Sequence, residues 1–134
     1  MTKLTARRLA GLCFAAAFFI FGGSAAFSAE IAPFDQAKFA EAQTAGKTII
    51  VHVHAPWCPT CRRQTPIVES LAKDQMFSNA AVFRVDFDTE KQALKFFKVQ
   101  YQATLIVFKG KTEVARSTGE SDAGKIKAMF QKGL

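Results

Sequence analysis

The sequence predicts an α/β fold: a central mixed sheet of about four strands with helices on both faces. Three observations carry this. Stretches rich in β-branched residues recur between residues 48 and 116, the first of them Thr48, Ile49, Ile50, Val51, His52, Val53 and His54. Between them lie stretches whose apolar residues return at helical spacing, such as Ile67, Val68, Leu71 and Ala72. Cys58 and Cys61, with two residues between them, fall where that first strand gives way to the helix. Strands alternating with helices call for a sheet covered on both sides.

Residues 1–29 are read as a secretory signal. Lys3, Arg7 and Arg8 are followed by an apolar run over 9–21 and small residues over 22–29, with no acid before Glu30. The apolar run is short for a bilayer span. Removal of the segment is expected to leave no stable membrane insertion; an uncleaved anchor is the alternative. Cleavage after Ala26, Ser28 or Ala29 all remain open. Cys13 has Leu12 before it, where a lipid-attachment site needs a small residue. The remaining residues 30–134 suffice for one domain with an adequate core, and export places it in the periplasm or outside the cell. Cys13 leaves with the signal, so Cys58 and Cys61 are the only thiols expected in the mature chain. The formal charge of +7 loses three units with the signal. The basic surface that remains is mixed with acids and shows no aromatic-interleaved patch, so nucleic acid is not an expected partner.

Along the domain, residues 30–33 read as an extended lead-in. Asp35 can cap a helix to about Gln43, with Phe34 and Phe39 as a hydrophobic staple. The strand over 48–54 is apolar on both sides in its first half, which suggests a central position. The helix opened by Cys58 runs to about Lys73, and Pro66 within it removes a hydrogen bond and predicts a kink. A strand over 80–86 follows, then a helix to about Phe97 capped by Asp88 or Thr89. Strands over 104–108 and 112–116 form a hairpin through Gly110. Gly119 ends the run, and Ser121 caps a last helix faced by Ile126, Met129 and Phe130.

The Cys58–Cys61 pair closes too short a loop to act as a structural staple. At a strand-to-helix junction such a pair is suited to opening and closing as a disulfide. Cys58 sits where free helix N–H groups and the helix dipole favour a thiolate, and Cys61 lies one turn in. A static disulfide is the plain alternative. A Cys₂His₂ set of Cys58, Cys61, His52 and His54 holding zinc or copper is another.

With these residues in view, the chain resembles the thioredoxin family, in particular its exported single-domain members. The resemblance rests on Ala55-Pro56-Trp57-Cys58-Pro59-Thr60-Cys61, on Pro66, on Val85-Asp86-Phe87-Asp88, on Thr104 through Lys111, and on Gly119. It implies a thioredoxin-like fold, no cofactor and no metal. It also implies thiol–disulfide exchange with protein or small-molecule thiols and disulfides, and a redox partner that recharges the dithiol. Cys58 would be the nucleophile and Cys61 the resolving thiol. A non-catalytic metal carrier or chaperone-like domain on the same fold is the competing reading.

Two positions depart from the family. Where it keeps a cis-proline facing the cysteines, this chain has Ala103. A cis bond before alanine costs about 2.5–4 kcal/mol against about 0.5–1 before proline, so Gln102–Ala103 is expected to be trans. That would open room over the thiols and weaken pairing with large substrates. A proline at 103 would be expected to restore protein exchange and to stabilise the fold. His52 stands where many relatives bury an aspartate beneath the second cysteine. It is read either as a proton shuttle for Cys61 near neutral pH or as a core-edge histidine bonded to backbone. Trp57, Pro59, Thr60, Ala103 and Thr104 complete the expected substrate groove. Trp57 serves as platform or lid, and Pro59 and Thr60 tune the thiolate. Arg62 and Arg63 are a solvated face or a weak electrostatic aid to Cys58.

Overall fold

The computed structural model describes residues 28–134; residues 1–27, and with them nearly all of the expected signal, lie outside the described residues. Among the described residues no helix is long and apolar enough to cross a membrane. The elements follow in the order β1 (Ile31–Pro33), α1 (Gln36–Thr44), β2 (Thr48–His54), α2 (Pro59–Lys73), a 3-10 turn (Gln75–Phe77), β3 (Ala81–Asp86), α3 (Lys91–Phe96), β4 (Thr104–Lys109), β5 (Thr112–Thr118) and α4 (Ala123–Gln131).

The sheet has five strands in the order β1-β3-β2-β4-β5, one more than expected. The addition is the lead-in, which pairs parallel to β3 with Ile31 opposite Val82. β2 lies at the centre, parallel to β3 and antiparallel to β4. Side chains alternate across a strand, so β2 feeds two cores. Ile49, Val51 and Val53 pack with Phe39 of α1 and Ala93 and Leu94 of α3. On the other face, Ile50 packs with Val68 and Leu71 of α2 and with Ile126 and Phe130 of α4. His52 and His54 share the face of Ile50.

Asp35 caps α1 by accepting from the Lys38 amide at 2.9 Å, and the Phe34 and Phe39 rings meet at 5.9 Å as the staple requires. α2 runs unbroken through Pro66. Two caps differ from expectation. Neither Asp88 nor Thr89 caps α3, which begins after Glu90 without a side-chain cap. The Asp86 carboxylate instead gathers the Asp88 amide, the Thr89 amide and the Thr89 hydroxyl into a turn that delays the helix. At α4 the cap is Asp122, bonded to the Lys125 amide at 2.8 Å, while the Ser121 amide is taken by the Glu120 carboxylate.

Phe39 is 1% exposed and meets the rings of Phe34, Phe83, Phe96, Phe97 and Phe108 edge-on. Phe39→Ala should therefore lower the unfolding free energy by about 3–5 kcal/mol in urea titration.

Candidate active site

The site forms where β2 ends. β2 and β4 pair with Val53 opposite Thr104, so the residue before Thr104 is delivered beside the segment that leaves His54. Ala55, Cys58, Cys61 and Ala103 pack there as one buried cluster, with Phe87 against it. Cys58 occupies the N-cap of α2 with extended backbone, and Pro59 takes the first helical turn, where a missing N–H does no harm. The Cys58 Sγ accepts from the Cys61 amide at 3.1 Å, the bond that a capping oxygen ordinarily makes.

Both cysteines are free and buried, Cys58 at 2% exposure and Cys61 at 0%. An incoming disulfide therefore reaches Cys58 only as the segments around it part. Burial first, and then the hydrogen bond and charge of Cys58, push the Cys61 thiol up to about 11; backbone amides of Ala55 and Ala103 pull the other way.

Trp57 is 54% exposed, and its indole N–H is held by the Asp88 carboxylate at 2.9 Å. This ties the approach to α2 to the turn after β3. Pro59 is exposed and Thr60 half-buried. The Thr60 hydroxyl accepts from Arg63, and both Arg62 and Arg63 lie on an exposed helix face. Thr104 is buried, and its hydroxyl bonds the Tyr101 carbonyl and the Thr118 hydroxyl, each at 2.8 Å, so it is committed internally.

The Gln102–Ala103 bond is trans, as expected, but the consequences expected of it do not follow. The described residues contain no cis peptide bond, and Ala103 adopts a left-handed φ of 56°. The segment does not open room over the thiols; Ala103 is 4% exposed and packs against both of them. Nor does this backbone suit proline, whose ring fixes φ near −65°.

His52 also departs from its expected setting. It is wholly buried, and its Nε2 lies 3.2 Å from Gln64 Oε1, so its partner is a side chain, neither backbone nor thiol. Burial, then Arg84 on the neighbouring strand, then His54 lower its pKa to about 3. The expected titration near neutral pH is corrected accordingly: the ring is uncharged there. Its Nδ1 and the Arg84 Nε are buried without partners. The residue that sequence reasoning missed is Gln64, buried at 0% three positions after Cys61. Its amide nitrogen donates to the carbonyls of Ala103 at 3.0 Å and Glu120 at 2.7 Å. The signal was available, since 61, 64, 68 and 71 form one helical stripe. Cys58, Cys61, His52 and His54 do not gather around a common point; among the described residues, no three His, Cys, Asp or Glu are placed to hold a metal.

A parallel-centred sheet with a dithiol capping the helix after its central strand defines a thiol–disulfide oxidoreductase. The thioredoxin family model matches residues 30–132. Among curated relatives, a thioredoxin H-type from Fagopyrum esculentum is 38% identical over 82 residues, covering 61% of this chain and 69% of the relative. A thioredoxin from Chlamydia trachomatis is 30% identical over 97 residues, 72% of this chain and 92% of its own. Among solved structures, Trxlp from Edwardsiella tarda superposes with a TM-score of 0.73 at 37% identity, covering 75% of this chain and 98% of that one. The chain belongs to the thioredoxin family.

Two outcomes follow from this geometry. Ala103→Pro should lower the unfolding free energy by more than about 1 kcal/mol, the reverse of the sequence expectation, because the native φ is closed to proline; chemical denaturation reads it. His52 predicts acid sensitivity. The unfolded chain protonates this imidazole near 6.5 and the folded one near 3. Unfolding therefore takes up a proton in that window, and stability is whole above it and is lost as pH falls. The slope should approach about 1.4 kcal/mol per pH unit. His54, also lowered by burial, acts in the same direction. Asp74 and Asp86, both lowered by hydrogen bonds, act below the ordinary carboxylate range. Denaturation midpoints between about pH 6.5 and pH 4 should fall steeply in the parent and more gently in His52→Asn.

Proposed function

We propose that this enzyme exchanges disulfides with exported proteins or small thiols after residues 1–29 are removed, in the periplasm or outside the cell. Cys58 attacks and Cys61 resolves. The observation that carries the reading is the asymmetry of the two thiols. Cys58 Sγ takes an amide hydrogen bond at a helix start, whereas the Cys61 thiol is held up to about 11.

That asymmetry supports an ordered exchange. The Cys58 thiolate attacks a substrate disulfide, forms a mixed disulfide and expels one substrate thiolate. Two of the causes that hold Cys61 up are the hydrogen bond and charge of Cys58. Both vanish once Cys58 is bonded to substrate, which leaves burial as the remaining cause and eases the release of the Cys61 proton. Its thiolate then attacks Cys58, closes the Cys58–Cys61 disulfide and releases the second substrate thiolate. His52 belongs to this reading as a neutral member of the buried polar network. A separate partner would reset the dithiol, and a relative described as bifunctional thioredoxin reductase/thioredoxin, from Mycobacterium leprae, supports a reductase in that role. No observation favours the metal-carrier or chaperone-like alternative.

Trapping tests the reading. Cys61→Ser should accumulate mixed disulfides on non-reducing gels of periplasm or culture medium, and Cys58→Ser should accumulate few. Equal trapping by both variants would remove the division of labour. Partners found only in the cytoplasm would remove the export.

A further inference from the structure

Gln64 is an expensive residue for its place. It faces the sheet one helical turn beyond Cys61, on the stripe that continues with Val68 and Leu71. An apolar side chain there would need no partners, whereas a buried amide left unpaired is destabilising. All of its bonding is internal. Both amide hydrogens go to carbonyls, of Ala103 and Glu120, which fixes the orientation of the amide and aims Oε1 at His52. The His52 Nε2 must then carry its proton, since Oε1 only accepts.

The Ala103 end of this network is the one under strain. A left-handed backbone brings the alanine Cβ too close to the following carbonyl, so something must hold it at a φ of 56°. Its carbonyl receives two hydrogen bonds, from the Gln64 amide at 3.0 Å and from the Gly119 N–H at 2.9 Å. The same residue packs on both thiols. A continuous link thus runs from Gln64 through the Ala103 backbone to Cys61.

We infer that Gln64 is a positioning residue for the resolving step: by gripping the Ala103 carbonyl it holds the strained Ala103 backbone against Cys61. The backbone amide of Ala103 is among the groups that favour the Cys61 thiolate, and a relaxed Ala103 would withdraw it. The inference rests on the reading of Cys61 as resolver, and it places the larger effect of Gln64 on the second chemical step, because the Ala103 amide acts on Cys61.

The aromatic disulfide 5,5′-dithiobis(2-nitrobenzoate) separates the two steps. Attack by Cys58 releases one coloured thiolate, and closure by Cys61 releases the second. In stopped flow, Gln64→Met should leave the first release within about threefold of the parent and slow the second by about tenfold or more. Ala103→Gly removes the cost of the left-handed backbone, so in that background Gln64→Met should slow the second release by no more than about threefold. Gln64→Glu keeps the length and an acceptor for His52 while leaving at most one donor for the two carbonyls; it should slow the second release as well, and it serves if the methionine variant does not fold. A second release unchanged in folded Gln64 variants would overturn the inference. So would a double variant as slow as Gln64→Met alone. A second release at the parent rate in Cys61→Ser would overturn the resolver assignment instead, which keeps the two failures apart.

Discussion

The structure depends above all on the register of β2 between its two neighbours. Pairing Val53 with Val85 on one side and Thr104 on the other sets three chain segments at one end of the sheet: the start of α2, the turn after β3 and the Ala103 segment. Both faces of β2 are buried, so a slip of one residue would exchange the apolar face of Val51 and Val53 for that of His52. The hydrophobic pattern therefore fixes the site as firmly as it fixes the core. The dithiol needs no special scaffold beyond this. Cys58 becomes a cap because the strand stops at His54 and Pro59 starts a helix.

The two thiols have different surroundings although they are three residues apart. The cap gives Cys58 a backbone donor, while the next turn of α2 carries Cys61 under the sheet end, at 0% exposure. Nothing beyond helix geometry is required to give one sulfur a backbone donor and to bury the other a turn deeper. Trp57 adds a brace: its bond to Asp88 links the approach to α2 with the turn that Asp86 organises. The site is held by crossed ties between loops as well as by the strands beneath them.

Much of this was legible in the sequence. β2 was read residue for residue because Ile and Val fill both its faces, and the Asp35 cap with its Phe34–Phe39 staple was a local pattern with a local cause. What escaped depended on tertiary partners. Three residues of β1 carry no periodicity, and they are a strand only because β3 offers an edge. Asp122 displaced Ser121 as a cap because Glu120 claimed the Ser121 amide, and Asp86 displaced Asp88 and Thr89 by collecting their donors. In the site, the cysteines and the departure at Ala103 were visible, but the left-handed φ was not, since nothing local favours it in alanine. Gln64 lies on the buried stripe of α2, but a lone polar residue between two arginines and a threonine reads as solvated.

The His52–Gln64 pair also shows how a buried polar site can stay electrically silent. Resemblance to the family sets an ionisable aspartate at the position of His52, and by residue type alone a histidine there keeps a titrating group. The surroundings decide otherwise. A protonated imidazole would be buried, would face Arg84 on the adjacent strand and would have His54 5.6 Å away, centroid to centroid. Each of these opposes the charge, and a hydrogen bond to a neutral amide does not offset them. The ring is thus confined to a directional role: it donates to Gln64, Gln64 donates to Ala103, and Ala103 rests on the thiols. Geometry passes along this line and charge does not. On the proposed mechanism the proton released by Cys61 leaves by way of water or the departing thiolate, with His52 contributing only the position of its ring.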